Sequence, residues 1–479
     1  MKKIARTIVC GALCTLMITG CGKAEEPVRP EETKTVEITA PAVVMIEIEG
    51  GAEILSVPEN TRELELTCRE QVEGLLNRAQ ELKELELIRL TGFVPGAEDI
   101  LQLEEVFVQT QISCDQVEIL GQTYPMDLEE LDLTALNPED IPAWGRALKV
   151  LENLQAVRLS PEGTVGTVSL DDAAALQALC PELTYHYAVE LFGQVLTTDM
   201  EEVSYFRVAI GDEGLEEFRK LLPMMYNLTR LTLDWCETSD EAMAQLRDDF
   251  AESCSVVWRV FFGEYNSLTD NYKIWANGLM TADAEVLKYC TEVRYMDLGH
   301  SAGLGNVDFL AYMPKIQVVI LGDCTKVASI EPLRNCLELE YLEMFSTKVT
   351  DLSPLENLTK LEHLNISRVP AEDLSPIMNL SNLKRLWSNS NPHLESQVAQ
   401  FQALYPDCQV VTKGGNSVSY QWRFTDTSRQ YYTSRYALLR VQIGYSAGEV
   451  SRYPKGYLRE EITYESTGIS PVGGHRKVD

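Results

Sequence analysis

Apolar residues recur at a nearly constant spacing through residues 291–411, and this periodicity restricts the possible fold more than any other feature of the chain. Successive units start 23, 23, 22 and 22 residues apart, and an apolar residue follows each start three positions later. The first residues of the units are Val293, Ile316, Leu339, Leu361 and Leu383. A unit of this length supplies a short strand and a return segment, which together cannot bury a core. Neighbouring units must therefore stack, with their strands forming a continuous parallel sheet.

The second half of each unit repeats as well. The segments VTDLSPLENL (349–358) and AEDLSPIMNL (371–380) match closely, and VASIEPLRNC (327–336) is a looser copy. Together with the strand pattern LxxLxL, they are typical of leucine-rich repeats. The stretch LEYLEMFSTKVTDLSPLENLTKLEHLNIS (339–367) resembles the repeats of the internalins, surface proteins of Gram-positive bacteria. The resemblance covers residues 291–411 and implies an α/β leucine-rich-repeat solenoid with a parallel β-sheet on its concave face.

The internalin pattern usually places an asparagine three residues after the last strand leucine. In this chain the equivalent position of the five repeats holds Ser301, Cys324, Thr347, Val369 and Asn391. We therefore expect that, of these five residues, only Asn391 can form the usual asparagine ladder, in which the side chain hydrogen-bonds to the backbone.

Residues 36–290 repeat at a longer and less regular period. The segments LKELEL, LQAVRL and LTRLTL begin at Leu82, Leu154 and Leu228, which are 72 and 74 residues apart. Stretches between them, such as DEGLEEFRKLLPMM, have apolar residues at helical spacing. We predict irregular α/β repeats, in which helices pack on one side of a parallel sheet. Segments such as CPELTYHYAVELFGQ (180–194) are similar to those of bacterial surface lipoproteins.

The N-terminus has the features of a secretion signal. Basic residues precede an apolar run over residues 8–18, which is too short to span a bilayer. The sequence ITGC (18–21) resembles a bacterial lipobox, in which Cys21 is acylated after residues 1–20 are removed. An ordinary signal peptide that happens to contain a cysteine is the alternative. Residues 21–35 are polar, which predicts a tether, so we expect an extracytoplasmic protein anchored to the cell membrane by an N-terminal lipid.

The charge of the chain limits its partners. The sequence contains 73 acidic and 41 basic residues, a net charge of −32, which repels phosphate backbones and argues against nucleic acid. The C-terminal extension over residues 412–479 differs, because basic residues outnumber acidic ones there and tyrosine is frequent. This composition favours a structural cap that docks on the acidic repeats. The alternative is a module that binds anionic glycans, wall polymers or membrane phosphates, with arginine for charge and tyrosine for stacking.

The sequence contains no recognisable catalytic or metal-binding motif. It has five histidines and no HExxH, GxSxG, P-loop or GxGxxG pattern, so we expect no enzyme, no metal site and no cofactor. Its twelve cysteines include no CxxC pair. Several of them, such as Cys180 and Cys254, precede an apolar β-like run. This position favours small buried core residues over a disulfide framework.

One face of the predicted sheet carries the candidate ligand-binding residues. Side chains alternate along a strand, so the residues between the core positions lie on the opposite face, where we expect solvent. Exposed aromatic side chains on such a surface commonly mark a binding site. The candidates are Tyr295, Ile320, Tyr341, Glu343, Phe345, His363, Asn365, Arg385 and Trp387. The alternatives are that the C-terminal extension or a neighbouring loop covers them, or that they have no role.

These features together predict a cell-surface, lipid-anchored binding or adhesion scaffold. We expect it to recognise a protein or glycan ligand at the cell surface through the concave face of the repeats, and to meet the membrane only through its N-terminal lipid. A structural or accessory envelope lipoprotein that assembles with partners in cis is the alternative. An enzyme acting on polymers is a weaker alternative, because the sequence shows no catalytic constellation.

Overall fold

A computed structural model describes most of the chain, which has an α/β fold. The described residues are 44–51, 53–413, 421–425, 431–445 and, for the backbone alone, 475–477. They divide into two compact units. The first comprises the described residues up to Phe93 together with Leu103–Ser113, and the second comprises Val94–Gln102 and the described residues from Cys114 onward. The predicted signal peptide, tether and lipidation at Cys21 lie outside the described residues.

Along the described chain, helices lie between single strands or short runs of strands. The strands are β1 (Met45–Gly50), β2 (Glu53–Pro58), β3 (Glu63–Leu66), β4 (Leu87–Leu90), β5 (Gln111–Ser113), β6 (Gln116–Ile119), β7 (Gln122–Pro125), β8 (Glu130–Asp132), β9 (Ala156–Arg158), β10 (Thr184–His186), β11 (Ala188–Leu191), β12 (Gln194–Thr197), β13 (Glu202–Phe206), β14 (Arg230–Asp234), β15 (Ser255–Phe262), β16 (Tyr265–Leu268), β17 (Lys273–Trp275), β18 (Tyr295–Asp297), β19 (Val318–Ile320), β20 (Tyr341–Glu343), β21 (His363–Asn365), β22 (Arg385–Trp387), β23 (Gln409–Val411), β24 (Tyr431–Thr433) and β25 (His475–Lys477). The α-helices are α1 (Arg69–Asn77), α2 (Ala97–Val106), α3 (Ile141–Ala147), α4 (Leu170–Leu179), α5 (Gly211–Leu221), α6 (Asp240–Asp249), α7 (Thr281–Ala284), α8 (Glu395–Leu404) and α9 (Ser434–Ile443). Short 3₁₀ helices in the later repeats are Asp308–Tyr312, Glu331–Asn335, Ser353–Leu355 and Ser375–Ile377.

The first unit contains a hairpin and a small parallel sheet. Strands β1 and β2 pair antiparallel, with Ile48 opposite Leu55, and β3, β4 and β5 form a parallel sheet in that order. Helix α1 packs directly against β1. Gly74 of this helix lies so close to Glu49 that a side chain at position 74 would overlap the Glu49 carbonyl oxygen. The glycine therefore allows the helix to lie against the strand.

The longer repeats each combine strand–helix pairs with a β-hairpin. In the second unit, β8, β9 and β10 are parallel neighbours, as are β13, β14 and β15, and helices α3 to α6 connect these strands. The antiparallel pairs β6–β7, β11–β12 and β15–β16 complete the repeats. Gly121 and Gly193 turn two of these hairpins with a φ of 79° each, a backbone region that glycine adopts without strain. The recurring glycines of the sequence therefore mark hairpin turns, which the strand–helix interpretation did not include.

The regular repeats form a seven-stranded parallel sheet in sequential order, from β17 to β23. The strands are in register, with Tyr295 beside Val318 and Val318 beside Tyr341, so equivalent repeat positions lie side by side. The sheet begins one strand before residue 291, because β17 pairs with β18. The predicted helical turns at Ser-Pro are short 3₁₀ helices with proline in the first turn. The predicted α/β leucine-rich-repeat class is therefore confirmed.

Other small side chains take over the role of the expected asparagine ladder. The side-chain amide of Asn391 donates to a strand carbonyl of the preceding repeat at 2.7 Å. The thiol of Cys324 donates to the equivalent carbonyl, that of Leu298, at 3.2 Å. Cys236 in the longer repeats makes the same contact with its preceding strand at 3.7 Å. Asn391 therefore makes the expected contact, and buried thiols supply the same kind of hydrogen bond in other repeats.

The cysteines of the described residues, from Cys68 to Cys408, form no disulfide bond. Seven of these nine are buried. Burial raises the thiol pKa, to about 12 in Cys290 and to about 11 in Cys336. These thiols are therefore protonated core groups, as the sequence interpretation favours.

Candidate functional site

The nine candidate residues lie together on the seven-stranded sheet, but the prediction that solvent covers them is wrong. Each has at most 9% of its surface exposed. The fully buried ones are Tyr295, Ile320, Tyr341, Glu343 and Asn365, and the nearly buried ones are Phe345, His363, Arg385 and Trp387. The reason is that residues 421–425 and 431–445 of the C-terminal extension pack on this surface. We call the nine residues the covered face and these two stretches the closing segment.

Helix α9 is the main element of the closing segment. The side chain of Thr433 accepts a hydrogen bond from the backbone N–H of Tyr436 and so caps the start of the helix. Gly444 ends the helix with a φ of 80°, the left-handed conformation that favours glycine. Tyr436, Leu439 and Ile443 pack into the same apolar cluster as the covered face. Their spacing along the chain is that of one helical stripe, which explains how a single helix covers the sheet.

Trp422 is the aromatic anchor of the closing segment. Its side chain is fully buried, and its ring centroid lies 5.3 Å from those of both Tyr341 and Trp387. The guanidinium of Arg385 lies 4.5 Å from a ring centroid of Trp422 and donates to the Trp422 carbonyl at 2.5 Å. Aromatic rings and a cation that are desolvated together attract each other beyond their contact area. Trp422 is therefore the closing-segment residue that fills the space between Tyr341 and Trp387.

Glu343 places a carboxylate on the covered face with none of its surface exposed. Its Oε2 accepts hydrogen bonds from the hydroxyl of Tyr341 at 2.9 Å and from the indole N–H of Trp422 at 2.8 Å. Arg423 donates to both carboxylate oxygens and completes a buried ion pair. Burial opposes the charge on Arg423, but the carboxylate of Glu343 holds the Arg423 pKa well above its usual value. A buried charge is tolerated only with partners of this kind.

A second set of polar contacts joins the segment to the sheet. The hydroxyl of Tyr445 donates to the carboxylate of Asp297, which also accepts from the backbone N–H of Gly299 at 2.8 Å. Burial raises the pKa of Asp297 above its ordinary range, and it raises the pKa of Tyr445 as well. Arg435 in α9 forms an ion pair with Glu340 at 3.1 Å. Polar contacts therefore fix the position of the closing segment at several points.

His363 is a packing residue of the covered face. Its ring centroid lies 6.3 Å from that of Trp422 and 5.8 Å from that of Tyr341. Burial and the neighbouring charge of Arg385 hold the pKa of His363 well below its usual value, so the ring is neutral near pH 7. Within the described residues its Nδ1 makes no hydrogen bond. The ring therefore contributes shape to the covered face and no charge.

Two further findings concern the part of the chain that the structure describes. No group of three or more His, Cys, Asp or Glu residues there could hold a metal ion. No helix there is both long enough and apolar enough to cross a membrane.

Sequence reasoning missed the individual residues that cover the sheet. Trp422, Arg423 and Tyr445 lie in the extension, which has no repeat period and no motif. Only the composition of the extension could have indicated the contact. The extension is rich in tyrosine and arginine, and it follows a sheet with aromatic and acidic residues on one face. The described part of the extension is a cap on the sheet, which is one of the two alternatives that its composition allowed.

Comparison with known proteins gives distant similarities. No protein-family model matches the chain, and no curated protein matches it. Among solved structures, internalin C2 of Listeria monocytogenes is 19% identical, with 48% of this chain and 82% of that chain covered and a TM-score of 0.23. Internalin F of the same organism is 14% identical, with 75% and 90% covered and a TM-score of 0.25. A leucine-rich-repeat protein of Leptospira interrogans is 14% identical, with 74% and 90% covered and a TM-score of 0.22.

At such TM-scores the neighbours define neither the shape nor the function of this chain. Its class is defined by its own repeats, which combine parallel strands, short helical return segments and a continuous row of buried aliphatic residues. These features define a leucine-rich-repeat fold of the α/β class.

Proposed function

We propose that this protein is a binding scaffold outside the cytoplasm, anchored by a lipid on Cys21, in which the leucine-rich-repeat sheet recognises a polypeptide segment. The observation that carries the proposal is the contact of Glu343 with Trp422 and Arg423. Tryptophan, tyrosine and arginine are the residues that dominate protein–protein recognition. The closing segment therefore binds the covered face as a peptide ligand would bind it.

A partner protein reaches the covered face only when the closing segment leaves it. The partner is expected to present an aromatic residue beside an arginine, because these groups satisfy Glu343 and fill the space between Tyr341 and Trp387. A neutral glycan at this face would leave the carboxylate without a cation. A protein is therefore the preferred ligand of the covered face.

Lipid anchoring is supported by the sequence ITGC (18–21) and by the apolar run before it. We expect mass spectrometry of the mature chain to find fatty acids on Cys21 as the first residue. Cys21→Ser should release the protein from the membrane fraction. A mature terminus at another residue, or an unmodified Cys21, would indicate an ordinary secreted protein instead.

A peptide-capture experiment tests the recognition step. The probe is a fluorescent peptide of residues 421–445, added to the full mature chain in which Trp422→Ala and Arg423→Ala weaken its own closing segment. We expect this variant to bind the peptide, and the wild type to bind far less, because its own segment occupies the face. Glu343→Gln in the weakened chain should remove the binding. Glu372→Gln, at an exposed glutamate, should leave it unchanged.

Failure of the weakened chain to bind the peptide, while circular dichroism shows it folded, would contradict the proposal. The sheet would then be a permanently closed core, and the protein a structural envelope component, the alternative that the sequence leaves open. Binding that survives Glu343→Gln would assign the peptide to another surface of the chain.

A further inference from the structure

We propose that the carboxyl ends of β13, β14 and β15 form a binding site for the ring of a neutral carbohydrate. We call this place the aromatic pocket, and its principal residues are Arg207, Trp235, Glu237, Thr238, Arg259 and Phe261. It shares no residue with the covered face or the closing segment. The inference therefore goes beyond the proposed function, and the two can fail separately.

Two exposed aromatic side chains, Trp235 and Phe261, line the aromatic pocket, and a third, Phe206, lies beside its wall residue Arg207. Phe206, Trp235 and Phe261 have 58%, 46% and 46% of their surfaces exposed. The rings of Trp235 and Phe261 meet edge to face, with centroids 4.7 Å apart. The guanidinium of Arg207 lies 5.1 Å from the ring centroid of Phe206 and 5.7 Å from that of Trp235. A cluster of exposed rings, unlike a single one, commonly marks a binding site.

The repeat itself fixes the position of Trp235. Its φ is 61°, and the equivalent residues Asp323 and Ser346 of the regular repeats have φ values of 60° and 61°. The left-handed backbone therefore belongs to the fold and is not specific to this pocket. The side chain is what differs, because a tryptophan stands here, whereas the equivalent residues of the regular repeats are His300, Asp323, Ser346, Arg368 and Ser390. The end of the strand thus presents this ring to solvent from a rigid element.

The polar groups around the rings carry no net charge. Arg259 donates two hydrogen bonds to Asp234, at 2.7 and 2.8 Å, so this pair is neutralised within the sheet. Arg207 and the exposed Glu237 are the remaining charged residues of the pocket wall and balance each other. Thr238 adds a hydroxyl. A site with donors and acceptors but no net charge favours a neutral, hydroxylated ligand over an ion.

The size and chemistry of the pocket fit a sugar ring. Its volume is about 430 Å³, which lies in the range of small-molecule sites. A pyranose has an apolar C–H face that packs on aromatic rings, and hydroxyls that donate and accept hydrogen bonds. Trp235 and Phe261 provide the rings, and the polar groups of the wall provide the partners. A carboxylated sugar would bring an unbalanced charge to a chain of net charge −32, so the neutral class is favoured.

Binding of defined oligosaccharides to the full mature chain tests this proposal. The probes are tetramers of glucose, mannose, galactose and N-acetylglucosamine, with a galacturonic acid tetramer as the charged counterpart, and isothermal titration calorimetry measures Kd. We expect a neutral tetramer to bind, and Trp235→Ala to raise its Kd about tenfold, because the stacking ring is lost. Phe261→Ala should also raise the Kd. Tyr312→Ala, at an exposed ring elsewhere, should leave it unchanged.

A second pair of variants tests whether the guanidinium of Arg207 contributes to binding. Arg207→Gln should weaken binding of the neutral tetramer, whereas Arg368→Gln, at the equivalent position of a regular repeat, should not. Trp235→Tyr should retain most of the binding, since it keeps an aromatic face. The proposal is overturned if no neutral tetramer binds the wild type, if only the galacturonic acid tetramer binds, or if neither Trp235→Ala nor Phe261→Ala changes the Kd.

Discussion

Two parallel sheets of the second unit have similar core sides but differ in the exposure of the opposite face. In β13 to β15 the face away from the core is partly open to solvent, with Phe206 58% exposed. In β18 to β22 the corresponding face is closed, with Trp387 1% exposed. The core side is alike in both, since Cys236 and Cys324 occupy the same column and donate to a strand carbonyl. Periodicity therefore determines which residues face the core, and it does not determine what covers the opposite face.

The two sheets also differ in how their buried carboxylates are paired. Asp234 and Arg259 pair within one sheet, and their side chains stay 12% and 22% exposed. Glu343 pairs with Arg423, which lies 80 residues away in the sequence, and the Glu343 side chain is 0% exposed. A carboxylate without solvent contact must find its partner within the protein. Glu343 therefore links the sheet to a segment that no local pattern identifies.

Removing a tryptophan should show the largest difference between the two sheets. Trp422→Ala should lower the free energy of unfolding by about 4 kcal/mol, because it leaves a cavity at a fully buried site. Trp235→Ala, at an exposed ring, should lower it by less than about 1 kcal/mol. Urea unfolding followed by circular dichroism measures both values. Equal effects would contradict the distinction between a closed and an open sheet.

Removing the cation from each ion pair should give the next largest difference. Arg423→Met leaves Glu343 buried without its charged partner and should cost about 3 kcal/mol of folding free energy. Arg259→Met leaves Asp234 nearer to water and should cost about 1 kcal/mol. Adding Glu343→Gln to Arg423→Met should recover part of the loss, because no buried charge then remains. If urea unfolding shows no recovery, the ion pair is not the interaction that Arg423 provides.

The closed face should also make stability depend on pH. Burial holds the pKa of His363 well below the value of 6.5 at which the unfolded chain takes up its proton. The unfolded state therefore binds more protons as the pH falls below about 6.5, and the folded chain should lose up to about 1.4 kcal/mol per pH unit there. His363→Asn should reduce this slope, because it removes the buried ring whose pKa is lowered.

Urea unfolding at a series of pH values between about 7 and 5 measures this slope. The comparison of His363→Asn with the wild type removes the contribution of carboxylates that titrate in the same range. A slope that His363→Asn leaves unchanged would show that solvent reaches this ring in the folded protein.

The smallest expected effects concern the core side, where the two sheets should behave alike. Cys236→Ala and Cys324→Ala should each cost about 1 kcal/mol, because each substitution removes a buried thiol and its hydrogen bond to a backbone carbonyl. Differential scanning calorimetry under reducing conditions measures both. A cost confined to one of the two variants would show that the shared column is not equivalent in the two sheets.

The core-facing side of the sheet could be predicted from the sequence because its apolar residues recur at a regular spacing. Residues such as Leu342 and Leu364 recur at the repeat spacing and are fully buried. Stacking of equivalent positions then follows, together with the parallel register of the strands. The candidate residues of the opposite face could be found as a set by the same alternation, since side chains point to alternate sides of a strand.

The environment of that opposite face could not be predicted. Trp422 and Arg423 lie outside the repeats, so no other position of the chain is equivalent to them. Their contacts with Glu343 span about 80 residues of sequence. Before this contact is known, a glutamate that alternates with buried leucines has the pattern of an ordinary solvent-facing residue. The hairpin at Gly193 was missed for a related reason, because its motif recurs too few times to define two strands.

Fluorine NMR of the mature chain labelled with 5-fluorotryptophan tests most directly whether the closing segment covers the sheet. The chain has six tryptophans, and a Trp→Phe variant assigns each signal. When a soluble gadolinium complex is added, the signals of Trp387 and Trp422 should stay narrow while that of Trp235 broadens, because only Trp235 is exposed among these three. Broadening of Trp387 and Trp422 to the same extent as Trp235 would show an open sheet and contradict the account.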